Sequence, residues 1–96
     1  MTEKRQAYEE KLAAQLREWN AQITLLKAKT ETAKAEAKVG YYATLEKLQH
    51  QRDAAHVKLE ELKAAGDEAW EEVKIGAEKA WVEIKTAFNA AIAKLK

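Results

Sequence analysis

The spacing of apolar residues is the feature that most constrains this chain. From Leu12 to Ala37 they recur in steps that alternate four and three, which is typical of the seam of a coiled coil. The seam residues are Leu12, Leu16, Trp19, Ile23, Leu26, Thr30, Ala33 and Ala37. Two successive steps of four follow Ala37, a stutter that unwinds a coiled coil locally without ending the helix. The seam then resumes as far as Leu62. The pattern therefore predicts one long helix over about residues 3–65.

A helix stop signal meets a helix start signal at residues 63–70. Gly66 suits the left-handed position that follows a helix C-terminus. Asp67 suits the N-cap of a following helix, and the glutamates after it suit the positive end of that helix's dipole. The sequence predicts a turn at Gly66 and Asp67 and a second helix over about residues 68–95.

The second helix carries an eleven-residue repeat, which stacks bulky side chains into a nearly straight stripe. The stripe comprises Trp70, Val73, Ala77, Trp81, Ile84, Phe88, Ile92 and Leu95. A flank of small residues beside it would let another backbone approach, and it comprises Ala69, Gly76, Ala80, Ala87 and Ala91. Reversal at Gly66 would bring Trp70 to Leu62, so the two patterns predict an antiparallel helical hairpin.

Composition agrees with an all-α fold in a single coiled-coil domain over residues 1–96. The chain has no proline and no cysteine and is rich in Ala, Glu, Lys and Leu, which is typical of long helices. Its charged residues sum to only +1, a mixed surface that argues against a nucleic-acid partner. No apolar run approaches the ~20 residues of a membrane span and no signal-peptide pattern opens the chain, so we expect a cytoplasmic location.

The hairpin leaves the seam of the N-terminal third, Leu12 to Leu26, without a partner. In one solution two long helices pair as an antiparallel dimer, and each N-terminal half completes the other chain's hairpin. In the alternative, the chain bends at Gly40 and forms a monomeric three-helix bundle. Domain swapping relates the two, since their contacts are the same and only the hinge differs. No turn residue follows Gly40, and this favours the dimer.

The sequence contains no constellation of catalytic residues. It has no cysteine, no serine and no glycine-rich phosphate loop, so we expect no enzyme activity and no cofactor. His50, Asp53 and His56 follow one another at steps of three, but the two histidines point about 120° apart on a helix. We therefore expect a solvated helix face there and no metal site.

Two segments carry a resemblance to a known class of proteins. They are Leu16-Arg17-Glu18-Trp19-Asn20-Ala21, and Leu59 to Trp70 continuing to Glu78-Lys79-Ala80-Trp81. On these residues the chain resembles a family of small bacterial coiled-coil proteins, often labelled stress-response or uncharacterised. The resemblance implies a helical bacterial protein and brings no catalytic residues. The eleven-residue repeat alone is similar to that of exchangeable apolipoproteins.

The functional prediction is a non-enzymatic helical scaffold or protein-interaction module, with a link to stress response. Its partners would be a second copy of the chain, in a homodimer or higher homo-oligomer, and an unidentified protein. The alternative is an amphipathic protein that associates with a lipid surface through its tryptophans. The candidate packing or interaction residues are Leu12, Leu16, Trp19, Ile23, Leu26, Leu59, Leu62, Trp70, Trp81, Ile84 and Phe88.

Overall fold

Three helices make up the structure, a computed structural model that describes residues 2–94. They are α1 (Thr2–Thr32), α2 (Ala35–Ala64) and α3 (Trp70–Ala93). The predicted all-α class is confirmed. The described part of the chain measures 52 Å along its long axis and 18 Å along each of the other two. The single chain therefore does not form the ~90 Å rod that an uninterrupted helix of some 60 residues would give.

The core runs along the whole bundle and takes side chains from all three helices. Its buried apolar members are Leu12, Leu16, Trp19, Ile23, Leu26, Leu45, Leu48, Ala55, Leu59, Leu62, Trp70, Ala77, Trp81, Ile84 and Phe88. Thr30 is also fully buried. Its hydroxyl donates a hydrogen bond of 2.8 Å to the carbonyl of Leu26, so its burial leaves no unpaired polar atom.

The prediction of a continuous helix over residues 3–65 is wrong for the single chain, because α1 ends at Thr32 and α2 begins at Ala35. Thr30 and Thr32 weaken the last turn of α1. Threonine is a poor helix former, and a hydroxyl bonded to an earlier carbonyl tends to bend a helix. Both hydroxyls make such bonds, Thr30 to Leu26 and Thr32 to Lys29 at 3.2 Å. The chain can therefore reverse here although no glycine or proline marks the position.

The alternative bend at Gly40 is also wrong, because Gly40 lies inside α2. A glycine in a helix interior costs roughly 1 kcal/mol, which a helix of this length tolerates. The reversal lies instead at Ala33 and Lys34, before the predicted stutter. Three helices are present, as in the alternative to the dimer, but the break between the first two lies at residues 33–34 and not at Gly40.

Gly66 and Asp67 lie between α2 and α3, but their conformations differ from the prediction. No glycine in residues 2–94 has a positive φ, so Gly66 is not a left-handed cap. The chain leaves α2 instead through Ala65 in an extended conformation, with φ −67° and ψ 138°. The side chain of Asp67 does not cap α3, which begins at Trp70. The Gly66 carbonyl accepts the backbone N–H groups of Ala69 and Trp70, at 3.0 and 2.9 Å.

The flank of small residues on α3 does not receive another backbone at Gly76, because a Cβ there would meet no atom within 4 Å. Ile75 and Val82 point away from the core, with 67% and 61% of their surface exposed. Leu95, the last residue assigned to the stripe, lies outside the described residues. The register that pairs Trp70 with Leu62 stays a prediction.

Replacing Gly40 by alanine should stabilise the protein by about 1 kcal/mol. The added Cβ meets nothing within 4 Å, and alanine is the better helix former. The measurement is the free energy of unfolding in urea. Gly66→Ala is the matched comparison, and it should change stability by less than about 0.5 kcal/mol because Gly66 has no positive φ. A clear loss of stability in Gly66→Ala would contradict the turn described above.

Candidate functional site

Helices α1 and α3 are held apart by aromatic rings. Helix α2 packs closely against both of them, whereas among the described residues no Cα of α1 lies within 8 Å of a Cα of α3. Trp19 bridges the gap by stacking on Trp81 and Phe88, with ring centroids 5.4 and 5.0 Å apart. Nearer the N-terminus of α1, Tyr8 meets Trp70 edge to face at 5.9 Å. This spacing leaves a groove between α1 and α3.

Arg5 fastens the start of α1 to the connection between α2 and α3. Its Nη2 donates hydrogen bonds to the carbonyls of Lys63 and Ala65, at 2.9 and 2.7 Å. Its Nη1 donates to Oδ1 of Asp67, also at 2.9 Å. The last carbonyls of a helix lack partners within the helix and carry partial negative charge, so a guanidinium suits them. Arg5 therefore provides hydrogen-bond partners for the end of α2, a role that the sequence assigned to a left-handed Gly66.

Glu9 joins Arg5 to Trp70. Its Oε2 accepts a hydrogen bond from Nε of Arg5 and another from Nε1 of Trp70, both 3.0 Å long. The side chains of Arg5 and Glu9 are only 17% and 15% exposed. These are charge-assisted bonds in a half-buried place, where they are stronger than at an open surface. They explain how the indole N–H of a buried tryptophan finds its partner.

Two cations lie over the aromatic rings at this end of the groove. Nζ of Lys74 is 4.9 Å from the ring centroid of Tyr8 and 5.6 Å from that of Trp70. The guanidinium of Arg5 lies 5.8 Å from the ring of Trp70. All three distances fall within the range of a cation–π interaction. Positively charged side chains therefore already lie over the rings of Tyr8 and Trp70.

A hollow of ≈ 670 Å³ opens at this end of the groove. Its lining combines an aromatic floor with a charged rim, and consists of Lys4, Arg5, Ala7, Tyr8, Lys11, Asp67, Trp70, Glu71 and Lys74. A smaller hollow of ≈ 220 Å³ continues along the same two helices and shares Tyr8 and Lys11 with the first. Burial raises the pKa of the Tyr8 hydroxyl above its ordinary value, and the Glu78 carboxylate raises it further. Tyr8 is therefore neutral at physiological pH.

The structure buries all eleven candidate packing or interaction residues. They form the core, and none is exposed as a free contact surface. The three tryptophans are the clearest case, since Trp19, Trp70 and Trp81 are 2%, 5% and 7% exposed. Gly66 and Asp67 lie in the α2–α3 connection, where Asp67 binds Arg5.

His50, Asp53 and His56 do not converge. Asp53 binds the neighbouring Arg52 at 2.9 Å, and Nε2 of His56 lies 3.9 Å from Glu60 one turn further along α2. Over residues 2–94, no group of three or more His, Cys, Asp or Glu side chains is arranged to hold a metal ion. In the same part of the chain, no helix is long and apolar enough to cross a membrane.

Sequence reasoning missed Arg5 and Glu9, and it missed the contact of Lys74 with Tyr8. A signal for Arg5 was present, because Arg5, Tyr8 and Leu12 continue the seam backwards in steps of three and four. A charged residue on a seam must find a partner, so its position could have pointed to the end of α2. The sequence places Lys74 at the edge of the apolar stripe of α3, but it does not show the contact with Tyr8, which belongs to another helix.

The fold and the groove define this chain as a small three-helix protein with a candidate binding cleft between its first and third helices. Comparison with known proteins found no matching family model, no matching curated protein and no matching solved structure.

Replacing Arg5 by glutamine should destabilise the fold by about 2–3 kcal/mol. The change removes hydrogen bonds from a charged donor and leaves Glu9 and the last carbonyls of α2 without their partner. The measurement is the free energy of unfolding in urea. Arg17→Gln on the exposed face of α1 is the matched control and should cost less than about 0.5 kcal/mol. Equal effects of the two substitutions would show that Arg5 does not fasten α1.

Proposed function

We propose that the chain is a non-enzymatic helical interaction module that works by self-association, in which two chains exchange α1. The observation that supports this is the hinge between α1 and α2. It consists of Ala33 and Lys34, neither of which is a turn-forming residue. Apart from Thr30 and Thr32, helix-forming residues surround it, in Lys29-Thr30-Glu31-Thr32-Ala33-Lys34-Ala35-Glu36.

The start of α2 has no cap. Lys34 occupies the N-cap position with φ −67° and ψ 152°, the extended conformation that an N-cap residue needs, but its side chain makes no capping hydrogen bond. Its carbonyl accepts the N–H groups of Ala37 and Lys38, both at 3.0 Å. A straight helix through the hinge would supply partners for about four N–H groups at the start of α2 and four carbonyls at the end of α1.

Straightening the hinge would join α1 and α2 into one helix and release α1 from its own chain. A second chain that does the same can then place its α1 in the vacated position. Contacts such as those of Arg5 with Asp67 and of Trp19 with Phe88 would re-form between chains without any change in chemistry. The two long helices would run antiparallel past each other, as the sequence analysis expected.

The energies of the two forms differ mainly at the hinge. Exchange gains backbone hydrogen bonds worth about 0.5–1.5 kcal/mol each, and it costs the entropy of joining two molecules. The equilibrium between the closed monomer and the exchanged dimer therefore depends on protein concentration. Interconversion must first detach the buried face of α1, so we expect monomer and dimer to exchange slowly.

Association with a lipid surface stays an alternative prediction, and it would require the bundle to open. Five stripe residues of α3 and the remaining tryptophan, Trp19, are already buried; the five are Trp70, Ala77, Trp81, Ile84 and Phe88. No contact in the described residues favours the lipid function over self-association.

Replacing Lys34 by serine should shift the protein from dimer to monomer. Serine can cap α2 only when the hinge is bent, which is worth about 1 kcal/mol per hinge. A dimer contains two hinges, so its dissociation constant should rise roughly 25-fold. Light scattering during size-exclusion chromatography, after refolding at high concentration, measures this. Lys47→Ser is the control, because Lys47 lies inside α2 in both forms and its replacement should not shift the equilibrium.

The distance between α1 and the end of α2 tests the exchange itself. Glu10 and Lys63 line one hollow in the closed chain, whereas in a straight helix they would lie about 80 Å apart. Spin labels at Glu10→Cys and Lys63→Cys, on chains diluted with unlabelled protein, report the distance within one chain. The proposal expects the long distance in the dimer fraction. A short distance there, or wild-type protein that stays monomeric after refolding at high concentration, would overturn it.

A further inference from the structure

We propose that the groove between α1 and α3 binds a single-chain anionic amphiphile, such as a fatty-acid carboxylate. The apolar chain would lie along the aromatic floor beside Tyr8, and the anionic head would lie among the lysines of the rim. This inference is independent of the exchange of α1, because it rests on the shape and charge of the groove.

The size and lining of the hollow suit a small apolar ligand. Ligand sites in proteins usually have volumes of about 300–1,000 Å³ and apolar walls with a few polar groups, and this hollow measures ≈ 670 Å³. Its floor includes the half-buried ring of Tyr8, and Ala7 leaves one side wall open to solvent. A flexible chain in the hollow would lie beside the rings of Tyr8 and Trp70 and against the side chain of Lys74, whose ammonium group lies over them.

The charges around the hollow favour an anion. Four cations line it, Lys4, Arg5, Lys11 and Lys74, against the two carboxylates of Asp67 and Glu71.

Arg5 and Asp67 already bind each other, which leaves three lysines and one glutamate. Among residues 3–94 no carboxylate lies within ion-pairing distance of Lys4, Lys11 or Lys74. These ammonium groups come from both walls of the groove, so a head group between them would be approached from two sides.

The same arrangement disfavours a cationic head group. Aromatic rings can hold quaternary ammonium ligands, but here Lys74 and Arg5 already lie over the rings of Tyr8 and Trp70. A cation that entered the hollow would meet both. The site therefore discriminates by the sign of the head-group charge.

The continuation of the groove gives a longer chain somewhere to lie. The second hollow shares Tyr8 and Lys11 with the first and extends beside Trp81 to the exposed side chain of Val82. Besides Lys11, its lining carries one further lysine, Lys85, and one carboxylate, Glu78. Affinity should therefore increase with the length of the aliphatic chain, up to the length of the combined groove.

The test is calorimetric titration of the full-length protein with dodecanoate and with dodecyltrimethylammonium, both below their micelle concentrations. The proposal expects saturable binding of one dodecanoate per chain, and at least tenfold weaker binding of the cation. Raising the salt concentration should weaken dodecanoate binding, since exposed charges are screened. Equal affinity for both amphiphiles, or no saturable binding of dodecanoate, would overturn the proposal.

Matched variants locate the site. In the double variant Lys11→Gln/Lys74→Gln the dodecanoate affinity should fall about tenfold. Each lysine that contacts the carboxylate at the surface should contribute a factor of up to about five. The control is Lys27→Gln/Lys79→Gln, which removes the same amount of charge from the same two helices. Lys27 and Lys79 are exposed and line neither hollow, so this variant should bind dodecanoate as the wild type does. Equal losses in both double variants would place binding outside the groove.

Anionic vesicles separate a bound molecule from a membrane surface. Vesicles of phosphatidylglycerol, mixed with the wild-type protein, present the same negative charge but contain no free single-chain amphiphile. Sedimentation of the protein with these vesicles, combined with no saturable binding of dodecanoate, would overturn the proposal in favour of a lipid surface. Binding of dodecanoate that is lost in Lys11→Gln/Lys74→Gln supports the groove.

Discussion

Burial of the apolar face of α1 is the constraint on which the rest of the structure depends. Leu12, Leu16, Trp19, Ile23 and Leu26 are each no more than 7% exposed. Burying one such side chain is worth roughly 1.5–3 kcal/mol, whereas a backbone hydrogen bond lost at a helix end costs about 0.5–1.5 kcal/mol net. The core therefore outweighs the cost of interrupting the helix, and the chain reverses at Ala33 and Lys34 without any turn residue. Thr30 and Thr32 weaken the helix at that position, but the free energy that bends the chain comes from the tertiary packing of α1.

The two ends of α1 are held in different ways. At its start, Arg5 and Glu9 bind the end of α2, the α2–α3 connection and Trp70 through hydrogen bonds with defined partners. At its end, no side chain caps the start of α2. The second half of α1 packs through Ile23 and Leu26, and Arg52 of α2 donates one exposed hydrogen bond to Asn20. This asymmetry supports both proposals. The uncapped end is where α1 can be released, and the polar end is where charged side chains from two helices surround an aromatic hollow.

Much of the fold follows from the sequence, and the departures have identifiable causes. Apolar periodicity identified the residues of the core, because burial depends on which face of a helix a side chain occupies. The stop signal at Gly66 and Asp67 identified the helix end near Ala64. Apolar periodicity could not locate the hinge, since Ala33 and Lys34 are good helix formers. Thr30 and Thr32 weaken the helix only slightly, and the packing of α1 on distant residues is what bends it. The cap assigned to Asp67 failed for a similar reason, because Arg5, more than 60 residues away in sequence, takes its carboxylate. The groove was not predictable at all, because Tyr8 and Lys74 meet only when α1 and α3 lie side by side.

The most direct test of this account is an NMR measurement of nuclear Overhauser effects between the ring protons of Trp19 and those of Phe88. The account predicts strong cross-peaks, because the two ring centroids lie 5.0 Å apart in the stacked interface between α1 and α3. The absence of these cross-peaks, together with ready quenching of Trp19 fluorescence by a solvent-borne quencher, would contradict it, because α1 would then not pack against α3.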